Sequence, residues 1–460
     1  MKKVIYVISA IAALIFAASC EKESNVSNIN EPTNEGFVTY TFTATNAEEE
    51  VRSSLSNAGV FSWGAGDHIA IYNSATSSYV DFEVKSVDES GNATIKADAA
   101  AGAVWTNAIY PAARAAGSGD EVDYTVSTVS GPILVSKVNG QELSFKYLGA
   151  VVNVQVNSLP DTPSTITFTA NSEVFGSRSF SWNGESPVLG GSGSTASITV
   201  PFASGVVSIP VPQASYAGFT LTVDNEAGRH LYVKTTANTF NLSAKKLLPM
   251  PALTYAAPTK FYVTTSSSGS SWNKSQVRML QTDANKYMVC MNCGANCDIY
   301  IFDEYNYDNG TVGYLNKGKV TDANLYKISW DSSSSKGGPE YAGGIMDKPF
   351  YNNDFPVDNM CISAGFNSWG VGDKFTYNGN MYWVIENKTI AAGTYEFKIR
   401  KADSANWYYA AGVNSGLGSD LYGSLKGDAD NASVTLAAGK YNIYLNSTTD
   451  WYYDIMFEKL

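Results

Sequence analysis

Short runs in which apolar and polar residues alternate dominate the chain from Phe37 onward. Val38, Tyr40 and Phe42 alternate with threonines, a pattern typical of a β-strand with one buried face. Similar runs recur at 69–72, 151–156, 164–169, 196–200, 219–223 and 231–233, separated by short segments rich in Gly, Asn, Ser or Asp. Long helical periodicity is scarce, so the pattern predicts an all-β protein built from tandem β-sandwich domains.

The first 19 residues have a different pattern. Lys2 and Lys3 precede an apolar run from Val4 to Ser19, which ends in small residues just before Cys20. Such a segment predicts a secretory signal peptide, and the Cys at its end resembles the junction of a bacterial lipoprotein signal. We expect cleavage before Cys20 and anchoring in the outer membrane through acyl chains on this residue. The alternative is a plain signal peptide followed by an incidental cysteine.

Residues 20–36 form a polar stretch that begins with Glu21-Lys22-Glu23. This composition cannot bury a core and predicts a flexible tether. Its acidic start resembles the surface-export signal of Bacteroidota lipoproteins, which implies a surface-exposed protein. The alternative is an ordinary solvated linker.

Three short motifs then suggest a family. Phe61–Tyr72 (FSWGAGDHIAIY), Ala108–Pro111 (AIYP) and Leu148–Ala150 (LGA) before a Val-rich strand resemble the signature of fimbrillin-like proteins of Bacteroidota. The resemblance covers roughly residues 36–255. It implies two β-sandwich lobes, which we place at 37–130 and 131–255. In fimbrillins an N-terminal segment is removed after an arginine, and Arg52 is the implied candidate here.

The residues of the first motif also have a purely structural interpretation. Trp63 is expected to pack at the edge of a core, since a large aromatic side chain gains most from burial. Gly66 and Asp67 are expected to form the turn that leads into the following strand.

Beyond a linker near residues 253–259, the chain shows a weak internal repeat. Trp272 is followed 97 residues later by Trp369, and Tyr287 is followed 95 residues later by Tyr382. A near-constant spacing predicts two tandem modules. We place them at 258–354, the upstream module, and at 355–460, the C-terminal module.

The C-terminal module contains the strongest candidate binding residues. From residue 395 to 400, aromatic and aliphatic residues alternate with Glu396, Lys398 and Arg400, so one strand face is expected to present cations. Trp369 lies in a Gly-rich turn and Trp407 follows a polar loop. A flat indole can stack on the apolar face of a sugar ring, while amines and amides bond its hydroxyl groups. The alternative for each Trp is packing in the core.

The same module resembles the C-terminal carbohydrate-binding domains of Sus-type outer-membrane starch-binding lipoproteins (the SusE/SusF family). The matching segments are 365–369, 392–400, Trp407, 427–431 and 438–443. The resemblance implies a non-hydrolytic site in which Trp369 and Trp407 stack, Lys398 donates to hydroxyl groups and Asn431 bonds the rim of the sugar. Asn442 is the competing choice for the amide.

The upstream module matches that family poorly. Trp272 is retained, but Ile301-Phe302-Asp303 occupies the region that corresponds to Lys398 in the sequence. This module is therefore expected to be a spacer, or to use Tyr305 and Tyr307 in a different arrangement.

Composition and charge exclude several other classes. The formal net charge is −12, whereas nucleic-acid binding requires a basic face. With only two histidines, at 68 and 230, most histidine-based metal sites and catalytic triads are ruled out. No nucleophile-elbow, zinc-protease or phosphate-loop motif is present. We therefore expect no enzyme activity, no metal and no cofactor, although carboxylate pairs for glycoside cleavage could come from distant positions.

Four cysteines follow Cys20, at positions 290, 293, 297 and 361. In an exported chain a disulfide is favoured over zinc, and no histidine is close to these cysteines in sequence. Three complete pairings are possible. Cys290 and Cys297 could face each other across a hairpin around Gly294, but the sequence does not choose among the pairings.

These features favour a surface-anchored, non-catalytic lipoprotein that captures a polysaccharide or oligosaccharide. Its expected partners are the outer membrane, through the lipid anchor, and a glycan-uptake transporter complex. The alternative is a fimbrial subunit or tip adhesin that assembles with other fimbrial subunits by donor-strand exchange. A glycosidase is the third hypothesis, and the glycan is not identified by the sequence.

Overall fold

A computed structural model provides the structure of this protein. It describes residues 37–45, 61–202, 205–243, 247–267, 277–307, 314–343, 359–378, 382–402, 411–412, 417, 421–427, 430–449 and 452–460. Apart from 3₁₀ turns at Ala112–Arg114 and Gly365–Asn367, the regular structure of these residues is β-strand. The prediction of an all-β protein with tandem β-sandwich domains is confirmed. None of the helical segments among these residues has the length and hydrophobicity needed to cross a bilayer.

The first sheet closes on itself. Its strands are β1 (Phe37–Thr45), β2 (His68–Asn73), β3 (Ser78–Val87), β4 (Ala93–Ala100), β5 (Trp105–Tyr110), β8 (Leu134–Asn139), β9 (Glu142–Ser144) and β10 (Lys146–Tyr147). The two short strands between β5 and β8 in sequence, β6 (Ala115–Ala116) and β7 (Glu121–Asp123), belong to a different sheet. The order is β10-β8-β5-β2-β3-β4-β1-β9, and β9 also pairs with β8. Trp63 is buried in this core at 5% exposure. The Asp67 carboxylate accepts a hydrogen bond from the Gly64 N–H at 2.8 Å, so both residues adopt their predicted structural roles.

The next sheets surround a second core. Their strands are β11 (Ala150–Asn157), β12 (Thr165–Ala170), β13 (Ser177–Asn183), β14 (Ser186–Leu189), β15 (Ser197–Pro201), β16 (Val206–Val211), β17 (Ala214–Tyr216), β18 (Phe219–Asp224), β19 (His230–Thr236), β20 (Phe240–Leu242), β21 (Leu247–Pro249) and β22 (Leu253–Thr254). β11 pairs with β16, β21 and β22, while β12 lies between β15 and β18. Each of the alternating segments that the sequence indicated coincides with a strand, although Ser164 and Ala196 lie one residue before β12 and β15.

Strand pairings cross the predicted boundary at residue 130 in both directions. β8, β9 and β10 lie after residue 130 but complete the first sheet. β7 lies before it and pairs with β13 of the second lobe. The two lobes therefore exchange short strands, a form of contact that local sequence patterns do not reveal.

The upstream module consists of two four-stranded sheets. Its strands are β23 (Phe261–Ser267), β24 (Val277–Arg278), β25 (Leu280–Asp283), β26 (Lys286–Cys293), β27 (Cys297–Asp303), β28 (Asn316–Val320), β29 (Asn324–Asp331) and β30 (Lys336–Gly343). One sheet has the order β24-β23-β27-β28 and the other β25-β26-β29-β30. Side chains of both sheets form a common core.

The C-terminal module has a single larger sheet. Its strands are β31 (Met360–Ala364), β32 (Thr376–Tyr377), β33 (Tyr382–Ile390), β34 (Gly393–Lys401), β35 (Ala411–Gly412), β36 (Tyr422–Gly427), β37 (Ala432–Leu436), β38 (Gly439–Thr449) and β39 (Tyr452–Lys459). The order is β31-β34-β35-β36-β39-β38-β33-β32, and β37 also pairs with β34.

The two modules share one topology. The pairings β23·β27, β25·β26, β26·β29, β27·β28 and β29·β30 of the upstream module correspond to β31·β34, β32·β33, β33·β38, β34·β37 and β38·β39. The β23·β24 pairing corresponds to the bridge between Cys361 and Lys374. The C-terminal module adds β35 and β36, which connect its two halves.

An asparagine joins the two modules. The Asn446 side chain accepts a hydrogen bond from the Cys290 N–H at 2.7 Å and donates to the Cys290 carbonyl at 2.9 Å. Asn446 is fully buried, and Tyr382, Tyr444 and Met456 of the C-terminal module pack into the upstream core. Because buried backbone groups require partners, this paired contact holds Cys290 of the upstream module against Asn446 of the C-terminal module.

Candidate functional site

The candidate site is built around β34. Phe397 and Ile399 point into the core and are fully buried, so Lys398 between them lies on the opposite, outer face. On one side of β34, Ser363 of β31 is the partner of Lys398. On the other side, Ala432 of β37 is the partner of Phe397. Lys398 is half-buried, and within the described residues its ammonium group has no ion-pair partner.

The backbone of Trp369 lies on this face, in a tight turn after β31. The Ser363 hydroxyl donates a hydrogen bond to the Trp369 carbonyl at 2.8 Å, and the Trp369 N–H donates to the Ala364 carbonyl at 2.8 Å. Ser363 is the strand partner of Lys398. The turn therefore folds over the outer face immediately beside the cation.

The backbone of this turn is strained. Ser368 and Trp369 have φ angles of 54° and 60°, in the left-handed region that bulky residues rarely occupy. Each such residue costs about 1–2 kcal/mol. Strain of this kind persists only where the surrounding structure holds it, and it is concentrated at functional sites.

Asn367 provides the structure that holds the turn. Its side-chain oxygen accepts a hydrogen bond from the Ala364 N–H at 2.9 Å. Its side-chain nitrogen donates to the Ile362 carbonyl and to the Asp373 carboxylate, at 2.9 and 2.8 Å. Lys388 forms a 2.5 Å ion pair with the same carboxylate. Both ends of the turn are thus tied to the sheet, which fixes the direction of the Trp369 backbone.

Asn431 completes the group of residues. It directly precedes Ala432, and its side-chain amide donates to the Glu396 carboxylate at 3.1 Å. Glu396 is two residues before Lys398 on β34 and so shares its face. Three predicted residues from separate segments, Trp369, Lys398 and Asn431, therefore lie around one patch of the outer face.

Other predicted residues fall elsewhere. Trp407, Cys20 and Arg52 lie outside the described residues. Asn442, the competing amide, accepts a hydrogen bond from the Asn387 N–H at 3.0 Å and donates to the Tyr444 hydroxyl at 3.2 Å. It belongs to β38, which does not pair with β34, and so Asn431 is the amide that accompanies Lys398.

Asn442 instead belongs to a polar network between the modules. The Tyr444 hydroxyl donates to the Glu458 carboxylate at 2.8 Å, and Arg278 of the upstream module also reaches this carboxylate, at 3.3 Å. Burial favours the neutral acid, but Arg278, Tyr444 and Lys260 outweigh it and lower the pKa of Glu458. An ionised carboxylate thus links the two modules.

Sequence reasoning did not identify Arg400 as a support for the turn. Its side chain is 7% exposed, and its guanidinium donates to the Trp369 carbonyl at 3.3 Å. It was recognisable as one of the alternating cations of β34, but the pattern did not indicate which cation the turn would cover. Lys398, two residues earlier, is left as the more accessible cation.

The strand register identifies the upstream counterparts of these residues. Because Phe261 accepts from the Met279 N–H as Met360 accepts from the Phe375 N–H, Tyr300 occupies the position of Lys398. Lys317, the partner of Tyr300, occupies the position of Asn431. The spacing of the internal repeat instead aligns residues 301–303 with Lys398. That alignment is wrong, because the strand register places Tyr300 at this position.

The charged and aromatic side chains at the upstream positions are already paired with one another. Lys317 lies 5.2 Å from the centre of the Tyr300 ring and forms a 3.1 Å ion pair with Asp298. Tyr314 packs edge-on against Tyr300 at 5.5 Å. Hydrogen bonding to Asp298 raises the pKa of Lys317. With Tyr300 only 7% exposed, the ring is unavailable as a stacking platform.

Tyr305 and Tyr307, the other upstream candidates, contact different neighbours. The Tyr305 hydroxyl donates to the Ala256 carbonyl at 2.9 Å, and its ring lies near Tyr232 and Tyr255 at the contact with the second lobe. Tyr307 stacks on Tyr262 at 4.8 Å and is 39% exposed. Of these two tyrosines, only Tyr307 is exposed.

A separate cleft of about 650 Å³ lies in the first lobe, lined in part by Asp67, His68, Tyr79 and Asp81. His68 Nδ1 lies 2.9 Å from the Asp81 carboxylate. Among the residues that the structure describes, no group of three or more His, Cys, Asp or Glu side chains is placed to hold a metal ion.

Comparisons with known proteins give weak likenesses. No family model and no curated protein matches the sequence. Among solved structures, a candidate cell adhesion protein from Bacteroides ovatus is 14% identical over 46% of this chain and 91% of its own, with a TM-score of 0.29. A second candidate cell adhesion protein, from Bacteroides thetaiotaomicron, is 12% identical over 47% and 93% of the two chains, with a TM-score of 0.24.

SusF from Bacteroides thetaiotaomicron is 15% identical over 68% of this chain and 76% of its own, with a TM-score of 0.17. At these TM-scores the likenesses assign neither a fold family nor a function to the chain.

Proposed function

We propose that the protein is a non-catalytic, cell-surface glycan-binding lipoprotein of the bacterial outer membrane. The observation that carries the proposal is the convergence of Trp369, Lys398 and Asn431 on one outer patch of the C-terminal sheet. A strained turn supplies the aromatic residue, β34 supplies Lys398, and Asn431 comes from the residue just before β37.

This set of groups suits a neutral sugar. A pyranose ring has an apolar C–H face and a rim of hydroxyl groups, so it needs an aromatic surface together with donors and acceptors. Lys398 supplies donors, and the Asn431 amide supplies both kinds of group. The patch lies on an outer sheet face, so single sites are expected to bind weakly and to act through multivalency on a polymer.

The anchor and the location belong to the same proposal. Lipidated Cys20 and the polar segment 20–36 would hold the folded domains at a distance from the membrane. Captured polysaccharide would then be passed to a neighbouring uptake complex.

Affinity electrophoresis in gels containing starch or other polysaccharides tests the binding proposal. We expect the chain to be retarded by at least one glycan, and Trp369→Ala to migrate as in a glycan-free gel. Lys440→Ala, which removes an exposed cation from β38, is the matched control and should remain retarded. No retardation on any glycan would refute the proposal, and release of reducing sugar would indicate a glycosidase.

One observation favours the second candidate function, a fimbrial subunit or tip adhesin. β1 lies inside the first sheet, antiparallel to β4 and parallel to β9. It contributes Phe42 and Ala44, both buried, to the core. Removal of β1 by cleavage after Arg52 would leave a gap between two strands that a partner's strand could fill.

Mass spectrometry of the mature protein distinguishes these candidates. A lipidated N-terminus at Cys20 with β1 retained supports the anchored receptor. A chain that begins at Ser53 supports strand exchange and would contradict the anchoring proposed above.

A further inference from the structure

Cys293 and Cys297 lie at the two ends of the connection between the two sheets of the upstream module. Cys293 ends β26 and Cys297 begins β27. These strands belong to opposite sheets, so they form an arch and not the hairpin that the sequence had allowed. Only residues 294–296 connect them.

The backbone holds this arch in a tight form. Asn296 has a φ angle of 53°, a left-handed conformation that asparagine tolerates better than most residues. Its N–H donates to the Thr321 carbonyl at 3.1 Å, which ties the arch to the start of the loop before β29. Both cysteine side chains are buried in the core of the module.

The two sulfur atoms are neighbours in the core. Cys293 is 2% and Cys297 4% exposed, and both side chains belong to the one core that the two sheets share; the Cys297 thiol is close enough to be the main cause that raises the pKa of Cys293. Each thiol also lies near a backbone carbonyl, that of Met291 for Cys293 and that of Asp298 for Cys297, at 3.8 and 3.5 Å.

The other two cysteines have different surroundings. Cys290 contacts the core of the C-terminal module, and Asn446 of that module pairs with its backbone. Cys361 lies in β31, where it is the strand partner of Arg400. The Cys290–Cys297 pairing that the sequence allowed would need Cys290 to leave the junction with Asn446.

We infer that Cys293 and Cys297 form a disulfide that closes the sheet-to-sheet arch of the upstream module. In the reaction each thiol loses a proton and the pair loses two electrons, while one disulfide of the oxidant, a protein or small-molecule disulfide, is reduced to two thiols. The inference rests on the proposed function only in that export supplies such an oxidant; it is independent of glycan binding.

The timing of the reaction follows from burial. The neighbouring Cys297 thiol and desolvation raise the pKa of Cys293, and only the thiolate attacks a disulfide. The bond is therefore expected to form while the chain folds, and the folded, reduced protein should oxidise slowly.

Refolding the purified full-length chain in a mixture of oxidised and reduced glutathione tests this inference. Free thiols are then alkylated under denaturing conditions without reduction and located by mass spectrometry. We expect label on Cys290 and Cys361 but not on Cys293 or Cys297. Before alkylation, the intact mass should be lower than that of the reduced protein by two hydrogen atoms. Label on Cys293 and Cys297 as well as on Cys290 and Cys361, or a bond that includes Cys290, would overturn the inference.

Two variants serve as controls that do not depend on each other's folding. Cys290→Ser should retain the bond, whereas Cys293→Ser should leave Cys297 open to alkylation. The same oxidised sample is also run in a glycan gel. A bonded protein that fails to bind glycan would count against the proposed function alone, and a glycan-binding protein without the bond would count against this inference alone.

Discussion

The upstream and C-terminal modules share one core set of strand pairings but differ in the chemistry of their outer faces. In the upstream module, Lys317 lies over Tyr300 and pairs with Asp298, so aromatic ring, cation and carboxylate satisfy one another. In the C-terminal module, Lys398 and Asn431 occupy the corresponding positions, and the Trp369 turn folds beside them. One topology thus supports a closed surface in one copy and a candidate binding surface in the other.

The difference arises from a few strand positions and one insertion. The C-terminal module has Lys398 where the upstream module has Tyr300, so the ring that contacts the cation is missing. It has Asn431 where the upstream module has Lys317, so the ion pair with a neighbouring carboxylate is missing too. The segment between β34 and β37 adds two strands to the C-terminal sheet. Binding chemistry therefore depends on outer-face residues, whereas the buried faces preserve the shared fold.

The largest expected effect concerns the contact that makes the two modules one unit. Asn446→Ala leaves the buried N–H and carbonyl of Cys290 without partners, and each such group costs about 1–3 kcal/mol. We expect the free energy of unfolding to fall by about 3 kcal/mol, measured by urea denaturation. Thr435→Ala, at an exposed position of the same module, should change it by less than about 0.5 kcal/mol. Equal small changes would mean that the modules are independent.

The second effect tests the open face directly. Trp369→Ala should weaken glycan binding by about tenfold or more, because loss of about 1.4 kcal/mol of stacking contact corresponds to that factor. The measurement is the migration in affinity gels over a range of glycan concentrations. Tyr341→Ala removes an exposed aromatic ring, 63% accessible, from the upstream module and should leave migration unchanged. If both variants bind normally, neither module uses these aromatic rings.

A third, smaller effect compares the two cations. Lys398→Ala should weaken binding about threefold, since an exposed charged hydrogen bond contributes under about 1 kcal/mol. Lys317→Ala should not weaken binding, because its ammonium group is committed to Asp298 and Tyr300. Isothermal titration with a soluble oligosaccharide can resolve changes of this size. Greater loss from the Lys317 variant would reverse the comparison.

The smallest effect is a pH dependence at the junction. Burial raises the pKa of Asp454 despite hydrogen bonds from Ser424 and Tyr422. A carboxyl group whose folded pKa is raised favours folding at pH values below its unfolded pKa, and this contribution is lost as pH rises through the folded pKa. Asp454→Asn should therefore be more stable than the wild type at pH 7, and the gain should shrink as pH falls towards 4. Thermal unfolding at several pH values measures this, and a gain that grows on acidification would contradict it.

Local sequence patterns were sufficient to predict the positions of most strands named in the sequence analysis. Alternation with period two places β1, β12 and β18 because each has one buried face, and burial at every second residue is visible in the chain. The same reasoning placed Phe397 and Ile399 inside and Lys398 outside. It could not place the lobe boundary, since β7 and β8 pair with partners far along the chain.

The candidate site was only partly predictable. Aromatic and polar residue types indicated Trp369, Lys398 and Asn431, but their proximity depends on pairings between segments about 30 residues apart in sequence. Arg400 and Lys398 are equivalent in the pattern, and only the turn over β31 makes one a buried support and the other more accessible. Likewise, the spacing of the cysteines left every pairing open until the arch brought Cys293 and Cys297 together.

The sequence by itself determined the all-β class, the strand positions, the tandem modules as an expectation and the chemical types available for binding. These follow from local alternation and spacing, which depend on neighbouring residues alone. The tertiary structure decided which module has an open face, which amide accompanies Lys398 and which thiols are neighbours. Such choices depend on strand register across the sheets, because a shift of one residue moves a side chain from one face to the other.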